Sequence, residues 1–174
     1  MKVTTTKIIT ICLIILLIVE SLYFLLQFRE WRDYSSRTYA LLEARACYHL
    51  YNGLIKLNGS AREDGIIELK LARLYIQLLA ENSIAKEKGM SIYLNYIASN
   101  ISLLIDYAEK HNLSGKIKYR RNLFYPLRAT IFRFEHEVSK YDLSPENLMP
   151  RYISWELVSN EFKWYVKEII GEID

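Results

Sequence analysis

Residues Met90 to Lys110 read MSIYLNYIASNISLLIDYAEK. Met90, Leu94, Ile97, Ile101, Leu104 and Ala108 recur three or four apart, while Asn95, Ser99, Asp106 and Glu109 fall off that line. Such spacing lays one apolar stripe along a helix, because a turn takes about 3.6 residues. The other long segments after the apolar run near the N-terminus repeat at helical period too, and none alternates apolar and polar residues with the period of two that a half-buried strand needs. The chain is therefore expected to be all-α.

On the C-terminal side, Asn112 to Gly115 closes this helix and the next begins near Lys116, with Leu123, Leu127, Ile131, Phe134, Val138 and Tyr141 on one side. Pro126 kinks it or marks its true start, since proline removes a ladder hydrogen bond. Ser144-Pro145-Glu146 has the form of an N-cap followed by proline at the first helical position, and Pro150 interrupts. A last helix is expected from about Arg151 to Glu172 through Tyr152, Trp155, Phe162, Val166 and Ile169.

On the N-terminal side, Ser60-Ala61-Arg62-Glu63 forms a capping box for a helix whose face is Ile67, Leu71, Leu74 and Leu78 and whose end is Gly89. Before it, a helix runs through Trp31, Tyr34, Leu41, Tyr48 and Ile55 to Leu57, where Asn58-Gly59 stops it. Long helices joined by short turns are the arithmetic of an antiparallel up-down four-helix bundle, here over residues 29–174. A helical solenoid is the second choice, because no tetratricopeptide-like repeat recurs.

The helix through Trp31 continues an apolar run, IITICLIILLIVESLYFLLQF from Ile8 to Phe28, with fifteen Leu, Ile, Val and Phe and one ionisable side chain. About 20 helical residues cover the roughly 30 Å of a bilayer core. The run gains about 7 kcal/mol on the insertion scale, against on the order of 3 kcal/mol for Glu20. A cleaved signal peptide competes, with Lys2 and Lys7 as its basic start and Val19/Ser21 as its small-residue site. The apolar run resumes at Leu22, so residues 1–28 read as an uncleaved signal anchor and the chain as single-pass. Trp31 and Tyr34 fit the aromatic belt at the interface, and Glu20 becomes a candidate contact to a partner helix.

The charge rule is nearly tied: Lys2 and Lys7 face Arg29, Arg32 and Arg37. Two clues point to an extracytoplasmic domain, the short leader and the N-x-Ser/Thr sequons at Asn58, Asn100 and Asn112.

With 23 Lys+Arg against 20 Asp+Glu, the net charge of +3 is too small to predict a nucleic-acid partner. Six Gly and three Pro in 174 residues exclude collagen-like and low-complexity classes, and two cysteines exclude a disulfide framework. Cys12 and Cys47 are too far apart on one helix to meet; Cys47 reads as a small buried residue, with a bridge between two copies as the alternative. His49, His111 and His136 stand in no ligand spacing, so no metal is expected, and no cofactor.

From Lys110 to Phe134 there are seven Lys/Arg and no acid, with Tyr119, Phe124 and Tyr125 between them. Lys116, Lys118, Arg120, Arg121, Arg128 and Arg133 are the candidate anionic surface, for lipid headgroups or nucleic acid. The structural alternative is a basic helix face matched by Glu156, Glu161, Glu168, Glu172 and Asp174 of the last helix.

No glycine-rich phosphate loop, nucleophile elbow or spaced acidic pair occurs, so no catalytic residue is named and no enzyme is expected. The sequence fits best a membrane-anchored helical domain acting by protein contact, as an accessory or scaffold subunit or a homo-oligomer. The alternative is a sensor or carrier binding a small ligand between its helices, with Arg45, His49, Asn52 and Arg73 as inward candidates.

Overall fold

Between Lys7 and Asn52 there is neither Gly nor Pro, so nothing interrupts the i to i−4 ladder. The computed structural model accordingly has one helix, α1 (Lys2–Asn58), with no break at Ser35 or Ser36. It is followed by α2 (Arg62–Glu81), α3 (Ser83–Glu87), α4 (Ser91–Lys110), α5 (Arg121–Lys140) and α6 (Trp155–Gly171). The structure describes residues 2–140 and 153–171, with side chains over 14–136 and 153–171. Among these there is no strand, and the all-α expectation holds. Val138, Tyr141, Ser144-Pro145-Glu146, Pro150, Arg151 and Tyr152 lie outside the described side chains, as does Cys12.

The chain divides into two units, Met1–Ser35 and Ser36–Asp174. In the first, every described residue from Ile14 to Phe28 is exposed. Its polar groups turn back on the helix: Ser21 Oγ donates to the Leu17 carbonyl (2.7 Å) and Gln27 Nε2 to Tyr23 Oη (2.8 Å). Among the described residues no helix is long and apolar enough to cross a membrane. A stretch of about 18 residues begun at Ile14 takes in Glu20, Arg29 and Glu30, whereas one begun at Ile8 takes in Glu20 alone. The transmembrane expectation thus finds no support in the described helices and rests on the sequence run.

In the second unit, the apolar faces expected for the first two helices are corrected. Leu41, Tyr48 and Ile55 are exposed, as are Ile67, Leu74 and Leu78. The buried stripes are Tyr39, Ala46, Cys47, Leu50, Leu54 and Leu57 on α1, and Gly65, Ile66, Leu69, Ala72, Ile76 and Leu79 on α2. Small residues in these stripes let the two backbones approach. A Cβ on Gly65 would lie 2.8 Å from Leu57 N, and one on Gly53 would lie 2.8 Å from Leu69 Cδ2.

α1 and α2 run antiparallel, since Gly53 meets Leu69 and Leu57 meets Gly65. α4 reverses again: Arg62 Nε donates to the Ala108 carbonyl (2.7 Å) and Arg73 Nη1 to Ser102 Oγ (3.1 Å). The start of α5 meets α1 where Phe124 packs edge-on to Tyr51 at 5.9 Å. α6 enters beside Tyr39 and Glu43 and ends beside Arg120, which pairs with Glu168. Among the described residues five long helical segments therefore share one core, one more than the expected bundle of four. The heptad of α4 is buried as read, with Leu94, Ile97, Ile101, Leu104 and Ala108 inside.

Three local expectations are corrected. The capping box does not form: Ala61 is the N-cap of α2, without a side-chain hydrogen bond. Helix two does not reach Gly89 unbroken, because Asn82 Oδ1 accepts the Ile84 N–H (2.9 Å) and starts α3; Gly89, at φ 68°, then ends it. Residues 116–120 are not helical. Asn58 holds them out, its carbonyl accepting Gly115 N–H and its Oδ1 accepting Ile117 N–H, both at 3.0 Å. Pro126 falls inside α5, which continues past it.

Candidate functional site

The buried stripe of α1 contains one carboxyl. Glu43 is only 4% exposed and stands one turn from Tyr39 and one turn from Cys47. Tyr39 Oη donates to Glu43 Oε1 (3.2 Å). Trp155 Nε1, at the start of α6, sits 3.3 Å from the same oxygen and 3.2 Å from Tyr39 Oη. Ile153 adds a backbone hydrogen bond and Arg133 of α5 a favourable charge. Tyr39 Oη also lies 3.6 Å from Met90 Sδ, just before α4. One acid thereby gathers groups from α1, the entry to α4, α5 and the entry to α6.

Burial pushes the Glu43 carboxyl up to about 7, and its hydrogen bonds and Arg133 only partly pull it back. Burial, and then Glu43 itself, raise the Cys47 thiol. Cys47 is fully buried, which supports its reading as a small core residue and rules against a bridge between copies. Sequence reasoning missed Glu43 because it followed the opposite face of the helix. Along the stripe 39, 43, 46, 50, 54, 57 the acid stands out as the one charge.

A second cluster joins α1 to α2. Glu68 receives His49 Nδ1 (2.6 Å) on one oxygen and Lys56 Nζ (2.7 Å) on the other, and His49 stacks on Tyr75 with centroids 5.2 Å apart. Burial raises the Glu68 carboxyl, but hydrogen bonds from Lys56 and His49 outweigh it and hold the group below the ordinary range. His49 thus belongs to a structural pair. Of the other ligand candidates, Arg73 bonds Ser102, while Arg45 lines an open groove of about 330 Å³ with Ala44, Tyr48, Ile131, Phe134 and Glu135. His49, Arg73 and Arg45 thus meet three different surroundings. No group of His, Cys, Asp and Glu able to hold a metal occurs among the described residues.

The basic segment is split by the fold. Arg120 pairs with Glu168 and Asn122 Nδ2 reaches Glu161 (3.4 Å), both on α6, as the structural alternative expected, while Arg133 acts on Glu43 of α1. Lys116 and Lys118 stand exposed on the loop. Arg121 and Arg128 project from the outer side of α5, with Arg121 Cζ 6.0 Å from the Tyr125 ring centre. Trp31 and Tyr34 are exposed, Trp31 against Phe28 at 6.1 Å, and Glu20 is exposed on its helix. Two sequons are tied into the fold: Asn58 holds the loop after α4, and Asn100 Nδ2 donates to the Tyr96 carbonyl (2.8 Å). Asn112 is exposed, its Oδ1 accepting Ser114 N–H (3.0 Å). No protein-family model, curated protein or solved structure matches this chain.

Proposed function

We propose that this protein is a single-pass, membrane-anchored helical domain that acts by protein contact, as an accessory or scaffold subunit of a membrane assembly. The observation that carries the reading is the helix from Ile14 to Phe28, where Leu, Ile, Val and Phe lie on every side, interrupted by Glu20, Ser21 and Gln27, and every residue is exposed. A helix apolar all round needs an apolar solvent, which is protein interior or lipid. The sequence extends this stretch back to Ile8 with no further charge, to bilayer length. The reading assigns residues 1–28 as an uncleaved anchor and gives the domain no catalytic role.

Contact rather than ligand carriage is favoured by a core of apolar side chains in which Glu43 is met by Tyr39 and Trp155. Extracytoplasmic placement draws on Asn112 alone among the sequons; protease protection of sealed vesicles decides the side. Glu20 is the contact residue, since a carboxyl at membrane depth seeks a partner helix. Glu20→Leu should leave the chain in the membrane and remove an interhelical hydrogen bond worth about 0.6 to 2 kcal/mol. Blue-native electrophoresis of solubilised membranes tests it. The reading expects a lower-mass species for the variant; an unchanged assembly would count against it.

A further inference from the structure

We propose that two copies of this chain pair in parallel through the exposed face of α1 and the groove between α1 and α5, with Arg45 of each copy meeting Glu135 of the other; this deepens the protein-contact reading and rests on it. Leu41, Tyr48 and Ile55 lie seven apart on the side of α1 opposite its buried stripe, and they are 45%, 44% and 45% exposed. In the sequence the same register runs back through Tyr34 and Gln27 to Glu20. A strict repeat of seven is the spacing that two supercoiled helices keep turned toward each other, whereas a straight helix drifts off it by about 20° per repeat. One large residue per repeat makes a narrow seam. Its width comes from α5, where the half-buried Ile131 and Phe134 line the open groove of about 330 Å³ with Ala44 and Tyr48.

Charge selects the occupant. Arg45 closes the groove on the α1 side and Glu135 on the α5 side; both are exposed, and neither makes an ion pair among the described residues. α1 and α5 run antiparallel, with Phe124 at Tyr51 and Arg133 at Glu43. Helical side chains lean toward their own N-terminus, so Arg45 and Glu135 lean to one level while Arg128 leans away from it. A two-fold axis parallel to α1 lays the α1 side of one copy over the α5 side of the other and keeps every residue at its own level. Each Arg45 then faces a Glu135, a pairing that guanidinium and carboxylate match in charge and in geometry, and the apolar stripe of each copy faces the groove of the other. A wholly acidic or wholly basic partner would match one lip of the groove and oppose the other. The same axis leaves both N-terminal runs at one end, as two anchors in one bilayer need, whereas an antiparallel pair would set them at opposite ends.

Cysteine cross-linking tests the pair in the full chain. Leu41→Cys is combined with Cys12→Ser; Cys47 is buried and stays unreactive. Membranes carrying the protein are oxidised with copper phenanthroline. A disulfide-linked species at twice the 20.6 kDa of the chain is expected, and Ser99→Cys, exposed on α4, should give several-fold less of it. In the Leu41→Cys background, Arg45→Glu alone opposes acid to acid and Glu135→Arg alone opposes base to base, so each variant should cross-link with itself several-fold less than the parent. Expressed together under different tags, the two variants should cross-link with each other at the parent's level, because both contacts again join an acid to a base.

Equal cross-linking at positions 41 and 99 overturns the proposal, as does a cross-linked species of another mass, which would mean that a different protein covers the face. Self-pairing of either variant at the parent's level overturns it too, and so does loss in both variants without recovery in the mixture. Alkaline extraction of the same membranes separates the two readings. Retained chains without the cross-link defeat the pairing alone. Extracted chains defeat the anchor, and cross-linking of those released chains then decides the pairing by itself.

Discussion

The two halves of α1 are both rich in large apolar residues and meet opposite surroundings. From Ile14 to Phe28 large apolar residues lie on every side, with Glu20, Ser21 and Gln27 among them, and every residue is exposed; from Tyr39 to Leu57 burial follows one stripe. What separates them is the amount of polarity and its distribution: Glu20 is the one charged residue from Ile14 to Phe28, whereas Glu43, Arg45, His49, Asn52 and Lys56 fall between Tyr39 and Leu57, all but Glu43 off or beside one apolar stripe. A stripe selects a packed protein neighbour, and an apolar cylinder selects an apolar solvent. The second half also carries small residues, Ala46, Cys47 and Gly53, where α2 and the rest of the core approach. The first half has no Gly or Ala from Ile8 to Phe28.

The same substitution placed in each half breaks or sharpens this contrast most strongly. Leu54 is fully buried and Leu17 is 61% exposed. Leu54→Asp should cost the domain about 4 kcal/mol, by burying an unpaired charge and losing core volume. Leu17→Asp should change it by less than about 0.5 kcal/mol. Circular-dichroism melts of the full chain in detergent micelles compare them, and equal losses would erase the distinction between the halves.

Next in size is the pH dependence that only the packed half should show. The Glu43 carboxyl titrates near 7 in the fold against an ordinary 4.5, so between these values the folded state holds a proton that the unfolded chain has released. Stability from this group is therefore full below about 4.5, falls as pH rises, and levels off above about 7. The loss is about 3 kcal/mol in all. Glu43→Gln should remove that slope from melts recorded across this range.

Close approach predicts the third effect. Gly65→Ala should cost about 2 kcal/mol, because the new methyl meets the Leu57 backbone, whereas the same change at an open helical site gains up to about 1 kcal/mol. Gly53→Ala should cost less, since the Leu69 side chain can give way. Smallest is Tyr165→Phe. Burial raises the Tyr165 hydroxyl, and among the described residues its oxygen has no hydrogen-bond partner. Removing it should leave chemical-denaturation midpoints unchanged or improve stability by up to about 1 kcal/mol.

The helices were legible in the sequence where size and spacing agreed, as in Leu94, Ile97, Ile101 and Leu104. They were misread where the two diverged. Tyr34, Leu41, Tyr48 and Ile55 are large and lie seven apart, yet the core takes the opposite stripe, whose small residues admit a second backbone. Glu43 was hidden by that choice. The basic segment was visible as composition, but its division into Arg120 and Arg133 turned to acids and Arg121 and Arg128 turned outward depends on where α6 and α1 lie. Asn58 illustrates the same limit. Its sequon is plain in the sequence, and its role in holding residues 115–117 belongs to the tertiary fold.

Alkaline carbonate extraction of membranes containing the full chain tests the central claim most directly. A helix spanning lipid from Ile8 to Phe28 keeps the protein in the membrane pellet, at the full mass of 20.6 kDa. Release of the chain into the supernatant, or a retained species shortened to begin at Leu22, would contradict the account.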